Sequence, residues 1–232
     1  MIYNPYPSIE LPFGNDNKWF VYLFESLTRV DISFLEYEIQ DVDEINAPKA
    51  IGAQAHLERV FAYELYRQWM NYLEEQEVRN LVVNGEIGKC LKDDLVRGLK
   101  VDKKKGRDIF PDLVLHRSQG SDNQQLMVCE IKREKVNDGD LFLDLLKLSC
   151  YINEKMFWKK PFSYGVFILV GKNASLSKIR IKPRSKTTFK GNSISIEDFK
   201  NDENFKQHFS NIVCVSYNGK NIEYNTLENL WM

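Results

Sequence analysis

PDLVLHRSQGSDNQQLMVCEIK, residues 111–132, is the stretch on which the reading of the fold turns. It holds two short apolar runs joined by the polar linker RSQGSDNQQ, which is the pattern of two strands and a hairpin connection. Side chains alternate along a strand with a period of two, so Leu113 and Leu115 face one way and Asp112, Val114 and His116 the other. In the second run Met127, Cys129 and Ile131 turn inward, while Val128, Glu130 and Lys132 share the opposite face. Seventeen residues separate Asp112 from Glu130, enough to turn a hairpin and bring both carboxylates to one end of a sheet. The same period of two puts Lys132 beside Glu130.

The flanking segments supply the layers for such a sheet. From Ile51 to about Glu77 there is no Pro and no Gly after Gly52, and Leu57, Phe61, Leu65, Trp69 and Leu73 repeat at helical spacing. NLVVNGEIGK then reads as a strand and a turn. After the hairpin, Asp138 to Phe157 reads as a helix with the apolar stripe Leu141, Leu145, Leu148 and Ile152. YGVFILVG is nearly continuous in apolar character, as a buried central strand should be, and IVCVSYNGKNIEY is a strand, an Asn218-Gly219 turn and a return strand. SKIRIK alternates basic and apolar residues, turning Ile179 and Ile181 inward and leaving Lys178, Arg180 and Lys182 as a basic face. Ahead of all this, Phe20, Leu23, Phe24 and Leu27 mark a short amphipathic helix within Asn17 to Val30, while Asp31 to Ala47 fits either a second helix or an acidic extended piece. The expected organisation is an N-terminal helical extension over residues 1–50 and a main α/β domain over 51–232.

Composition narrows the function classes. At 232 residues, 43% hydrophobic and 28% charged, the chain has the profile of a globular protein with one substantial core. Its start, MIYNPYPSIELPFG, lacks the basic and apolar regions of a secretory signal, and no apolar run reaches membrane-spanning length, so a cytoplasmic protein without a membrane partner is expected. Cys90, Cys129, Cys150 and Cys214 are scattered, without a CxxC pair or a His at finger spacing, which speaks for reduced core thiols and against a zinc site. No GxxxxGK[ST] loop and no GxSxG elbow occurs. A formal net charge of −1 hides an uneven distribution: six acids and no base lie between Arg29 and Lys49, whereas Lys100, Lys103, Lys104, Lys105 and Arg107 crowd one loop ahead of Asp112. Each run taken alone reads as a solvated face.

Asp112, Glu130 and Lys132 together suit phosphodiester hydrolysis. Two carboxylates offer hard oxygen ligands to Mg²⁺, or to Mn²⁺ in its place, and the backbone carbonyl of Ile131 is a natural further ligand. A bound metal polarises phosphate and makes a water nucleophilic near neutral pH. A nearby Lys orients or deprotonates that water, or stabilises developing charge. The bland alternative, a turn carboxylate and an edge-strand ion pair, leaves the charges embedded in MVCEIK without a reason.

With PD at Pro111-Asp112 and EIK at Glu130 to Lys132, in the order helix, hairpin, helix, strand, the chain resembles the PD-(D/E)XK nuclease superfamily of restriction endonucleases and junction resolvases over roughly residues 51–182. The resemblance implies a restriction-endonuclease-like mixed sheet flanked by helices with an αβββαβ core, a Mg²⁺-dependent nuclease acting on nucleic acid, with DNA favoured over RNA by analogy, and assembly as a homodimer. It also implies a further acid on the helix before the sheet. Glu64, inside the apolar FAYELY, is preferred over Glu58 because an unpaired carboxylate there would be costly to bury, and Glu86 comes third. Lys147 occupies the position resembling a Gln on the helix after the catalytic strand, where it would contact a substrate phosphate or pair with Asp144, and Tyr151 follows on the same face. Lys104, Lys105 and Arg107, together with Lys178, Arg180 and Lys182, are the expected track for the nucleic-acid backbone. The rival reading is a catalytically silent module of this fold that binds nucleic acid or a protein partner in a defence or repair assembly.

Overall fold

A computed structural model of the chain describes residues 17–35, 51–85, 111–117, 125–156, 160–180, 185–189 and 192–231. The helices and strands expected around the hairpin occur in the expected order, while most of the Asp31 to Ala47 segment lies outside the described residues. Helices α1 (Asn17–Thr28) and α2 (Ile51–Glu75) precede strands β1 (Leu81–Gly85), β2 (Leu113–Arg117) and β3 (Gln125–Arg133). Helix α3 (Asp138–Ile152) then leads to β4 (Tyr164–Val170). A two-stranded ribbon, β5 (Lys186–Phe189) and β6 (Asn192–Ser195), and the short helices α4 (Ile196–Asn201) and α5 (Glu203–Lys206) follow. The chain closes with β7 (Ile212–Tyr217), β8 (Ile222–Thr226) and α6 (Leu227–Trp231).

Six strands form one mixed sheet in the order β1-β2-β3-β4-β7-β8. The pairs β1/β2, β2/β3 and β7/β8 are antiparallel, whereas β3/β4 and β4/β7 are parallel. The parallel pairing of β3 with β4 requires a crossover, and α3 supplies it. At the Asn218-Gly219 turn Gly219 has φ +85°, a conformation glycine adopts without the Cβ penalty, and β8 returns beside β7 as predicted.

Period-two alternation sorts the strand side chains into two cores. Leu113, Leu115, Met127, Cys129, Ile131, Val166, Ile168, Val213 and Val215 pack with Phe20, Leu23, Phe24 and Leu27 of α1 and Phe61, Leu65, Trp69 and Leu73 of α2. Val114, Val128, Phe167, Leu169 and Cys214 face the other way, against Leu141, Leu145, Leu148 and Ile152 of α3. Both faces are therefore covered, and Val114 and Val128, expected on the face opposite the core, are buried under α3. Helix α1 shares the α2 core rather than standing apart from it.

Helix α3 starts where its sequence tells it to. The Asn137 side chain accepts a 2.9 Å hydrogen bond from the Asp140 N–H, and Asp138 and Asp140 place negative charge in the first turn. Gly165 of β4 lets this helix approach closely, since a Cβ there would lie 3.1 Å from the Leu148 Cβ.

The alternating SKIRIK segment does not begin as a strand, and its last two residues lie outside the described ones. Residues Leu176–Ile179 make a short 3-10 turn capped by Ser175, which keeps Ile179 buried without a strand. Residues 185–211, which carry little regular periodicity, add the ribbon and short helices; Phe199 packs there against Phe205, Phe209 and Trp231. No helix among the described residues is long and apolar enough to cross a membrane.

Candidate active site

At the carboxyl end of β3 acids from both helical layers meet at one residue, Lys132. Glu130 and Lys132 belong to the α3 side of the sheet by alternation, while Glu58 comes from α2 on the opposite side and reaches around the strand end. Its carboxylate accepts hydrogen bonds from the Lys132 ammonium at 3.1 Å and from the Arg133 backbone N–H at 3.2 Å.

Asp112 stands one residue before β2. Its N–H donates to the Cys129 carbonyl at 3.1 Å, extending the hairpin ladder by one step. Its Oδ2 accepts a 2.7 Å hydrogen bond from the N–H of Ile131, the residue between Glu130 and Lys132. In an extended strand the N–H and C=O of one residue point to the same side, so the Ile131 carbonyl faces the β2 side together with this N–H.

A fourth acid completes the group. Asp144 lies on α3 with 2% of its surface exposed, and Glu130 is as deeply buried. Lys147, one turn along the helix, donates to Asp144 Oδ1 at 2.6 Å and stands 3.9 Å from Glu130 Oε2. Lys132 stands 3.5 Å from Asp144 Oδ2. The charges thus alternate in space as Glu58, Lys132, Asp144, Lys147, Glu130, and Asp112 is tied to the same stretch through the Ile131 N–H.

The electrostatics follow from four acids facing two bases in a largely desolvated place. Burial pushes the Asp112 carboxyl up to about 6, against the opposing pull of the Ile131 N–H and the Lys132 ammonium. Burial, followed by repulsion from Asp144, drives Glu130 well above the usual carboxylate range despite Lys147. Burial works against charge on Lys132, but Asp144, Glu58 and Asp112 outweigh it and raise its pKa. Lys147 is raised in the same way, burial being overcome by Glu130 and Asp144.

Buried acids of this kind are costly unless something compensates them. Glu130 Oε1 and Asp144 Oδ2 have no hydrogen-bond partner. An orphaned buried carboxylate oxygen beside a second carboxylate is the donor chemistry a hard cation uses, and Mg²⁺ is commonly held by only one or two carboxylates. Among the described residues no group of three His, Cys, Asp or Glu side chains converges to hold an ion, so an ion here would have to be held by fewer side chains, such as Asp112 and Glu130, with a backbone carbonyl. An open cleft of about 300 Å³ leads to the cluster, lined by Glu58, Lys132, Arg133, Lys135, Asp144 and Lys147 among others.

The sequence-based expectations fare unevenly. Asp112, Glu130, Ile131, Lys132 and Lys147 are brought together. Glu64, preferred over Glu58 on sequence, is bound to Arg67 at 2.5 Å and to Gln68 at 2.8 Å on its own helix, whereas Glu58 is the α2 acid that reaches Lys132. The Arg67 hydrogen bond holds the Glu64 carboxyl below its ordinary range, as expected of a satisfied surface pair. Lys178 pairs with Glu134 at 3.7 Å instead of presenting a free basic face, and Arg180 is exposed at the end of the 3-10 turn. Lys104, Lys105, Arg107, Lys182 and Glu86 lie outside the described residues. His116 is half-buried; its Nδ1 donates to the Arg117 carbonyl at 2.8 Å and its Nε2 accepts from the Asn84 amide. Asp144 is the member that sequence reasoning treated only as a partner of Lys147. A lone acid within the apolar run LFLDLL was the signal.

Comparison with protein-family models, with curated proteins and with solved structures yields no match.

Proposed function

We propose that the chain is a divalent-metal-dependent nuclease with a restriction-endonuclease-like core, α2-β1-β2-β3-α3-β4, hydrolysing phosphodiester bonds in nucleic acid. The observation that carries this reading is the hydrogen bond joining Asp112 to the backbone of the Glu130-Ile131-Lys132 tripeptide, beside a buried Glu130 oxygen that has no partner. Raised carboxylates beside half-buried lysines that line a cleft form a pattern common at functional sites.

Asp112, Glu130 and the Ile131 carbonyl would hold the metal, which supplies Lewis-acid polarisation of the phosphate and a water of lowered pKa. The chain's own contribution is orientation and charge. Ile131 fixes the Asp112 carboxylate through its N–H, so that one oxygen is aimed by the backbone and not by a flexible side-chain contact. Glu58 and Asp144 hold the Lys132 ammonium between them at the cleft wall and keep it protonated. A lysine so held does not act as a general base near neutrality; it donates hydrogen bonds to the phosphate or the attacking water and offsets the charge that develops on the phosphoryl oxygens. Arg133 and Lys135, on the same cleft, extend the positive lining along which a strand's phosphates would lie.

DNA is the polymer favoured by resemblance. The test is incubation of the full chain with plasmid, linear duplex, single-stranded DNA and RNA in Mg²⁺ or Mn²⁺, beside Asp112→Asn. Cleavage by the wild type that the variant loses supports the reading. Equal behaviour of the two proteins on every substrate rejects it in favour of a binding module.

A further inference from the structure

We infer that Lys147 is a built-in counter-ion standing where a second divalent cation would bridge Glu130 and Asp144, so that the site takes one divalent ion, at the end formed by Asp112 and Glu130. This inference rests on the metal-dependent reading above and specifies how much metal that reading needs.

Charge balance gives the first reason. Glu58, Asp144, Glu130 and Asp112 set four formal negative charges against the two ammonium groups of Lys132 and Lys147, an excess of two. One divalent cation neutralises that excess. A second would leave the buried cluster with two net positive charges in a place where desolvated charge is costly.

Geometry gives the second. Paired metal ions in phosphoryl-transfer sites share carboxylates and stand roughly 3.5–4 Å apart. The Lys147 ammonium already stands 3.9 Å from Glu130, the carboxylate that would be shared, and 2.6 Å from Asp144, which would complete the second ion's site. It is not a mobile surface lysine, since its side chain is 21% exposed and the contact with Asp144 spans one turn of the same helix.

The third reason is the uneven use of the oxygens. Asp144 has an ammonium on each side, whereas Asp112 is bonded to a backbone N–H, and Glu130 keeps one oxygen without a hydrogen bond and has Lys147 only at 3.9 Å. Uncompensated negative charge therefore concentrates at Asp112 and Glu130, and that is where one ion belongs.

The test is a titration of the metal-free full chain with Mn²⁺, counting free Mn²⁺ by electron paramagnetic resonance. The wild type is expected to bind one Mn²⁺ per chain, Lys147→Arg also one, and Lys147→Gln two, with thermal melts showing that both variants are folded. Two ions bound by the wild type, or a folded Lys147→Gln that stays at one, overturns the counter-ion role. If Lys147→Gln does not fold, the wild-type count still decides. One Mn²⁺ bound without cleavage of any nucleic acid upholds the counter-ion role and removes the nuclease reading, whereas no bound Mn²⁺ removes both.

Discussion

The Asp112 carboxylate is held by the backbone N–H of Ile131 at 2.7 Å, so the acid of one strand is fixed to the peptide that links the acid and the lysine of the next. A side chain bonded to a neighbouring main chain inherits the rigidity of the sheet. The contact places Asp112 at the rim of β3 without making it an ion pair, and its charge is left for another partner.

That relationship makes Asp112→Asn the informative substitution. An amide oxygen can still accept from Ile131, so the fold is expected to survive, while the charge needed to hold a metal is gone. Loss of a metal ligand removes several kcal/mol of transition-state stabilisation. Cleavage is expected to fall on the order of 10³-fold or more, measured as initial rates on whichever nucleic acid the wild type cuts. A variant within a few-fold of wild type would show that Asp112 holds no metal.

The same charge is a liability to the metal-free protein. A carboxyl raised from 3.8 to about 6 binds its proton more tightly folded than unfolded. Its contribution to stability is therefore present below about pH 4 and lost as pH rises through about 6. The loss is on the order of 2–3 kcal/mol for this group, and Glu130 is shifted in the same direction. In EDTA, Tm is expected to decline from this cause between about pH 4 and 6, with a smaller decline in Asp112→Asn and recovery on adding Mg²⁺ at neutral pH. A wild type and variant with parallel Tm profiles would contradict the assignment.

Glu58 and Glu64 separate what a sequence shows from what it hides. Strand alternation and element order were legible because periodicity is local: Met127, Cys129 and Ile131 could be assigned to one core, and Glu130 and Lys132 to the other side, without knowing what covered either. The choice between two acids on one helix was not local. Glu64 sits in the more apolar surroundings in sequence, but Arg67 and Gln68 satisfy it within its own helix. Glu58 is picked out only by the tertiary approach of α2 to the end of β3. SKIRIK misled for a related reason, since a 3-10 turn buries Ile179 as readily as a strand would.

Glu58→Gln and Glu64→Gln should accordingly behave differently. Residues that orient a functional group through a hydrogen bond are worth roughly 10–100-fold in activity when removed. Glu58→Gln is expected to lower kcat within that range, because its contact with Lys132 spans 74 positions of sequence and is made at the cleft. Glu64→Gln severs an exposed pair with Arg67, worth about 0–1 kcal/mol, and should leave the rate near wild type. The reverse order of effects would restore Glu64 as the helix acid.

Lys132 gives the sharpest test of what the lysine does. If it were a general base, it would have to lose its proton in the working pH range, and the rate would rise with an inflection below its ordinary pKa of 10.5. Its surroundings push the other way: Asp144 and Glu58 stand 3.5 and 3.1 Å from the ammonium and, with Asp112, raise its pKa in spite of burial. The expected pH–rate profile in Mg²⁺ therefore shows no inflection assignable to Lys132 up to about pH 10. Lys132→Arg keeps the charge and should retain part of the activity, while Lys132→Met removes it and should cost on the order of 10²–10³ in kcat, the range for a lost donor at a developing oxyanion. An alkaline inflection present in the wild type and absent in Lys132→Arg would instead make the neutral amine the base, and would require the network of Glu58 and Asp144 to be released when substrate binds.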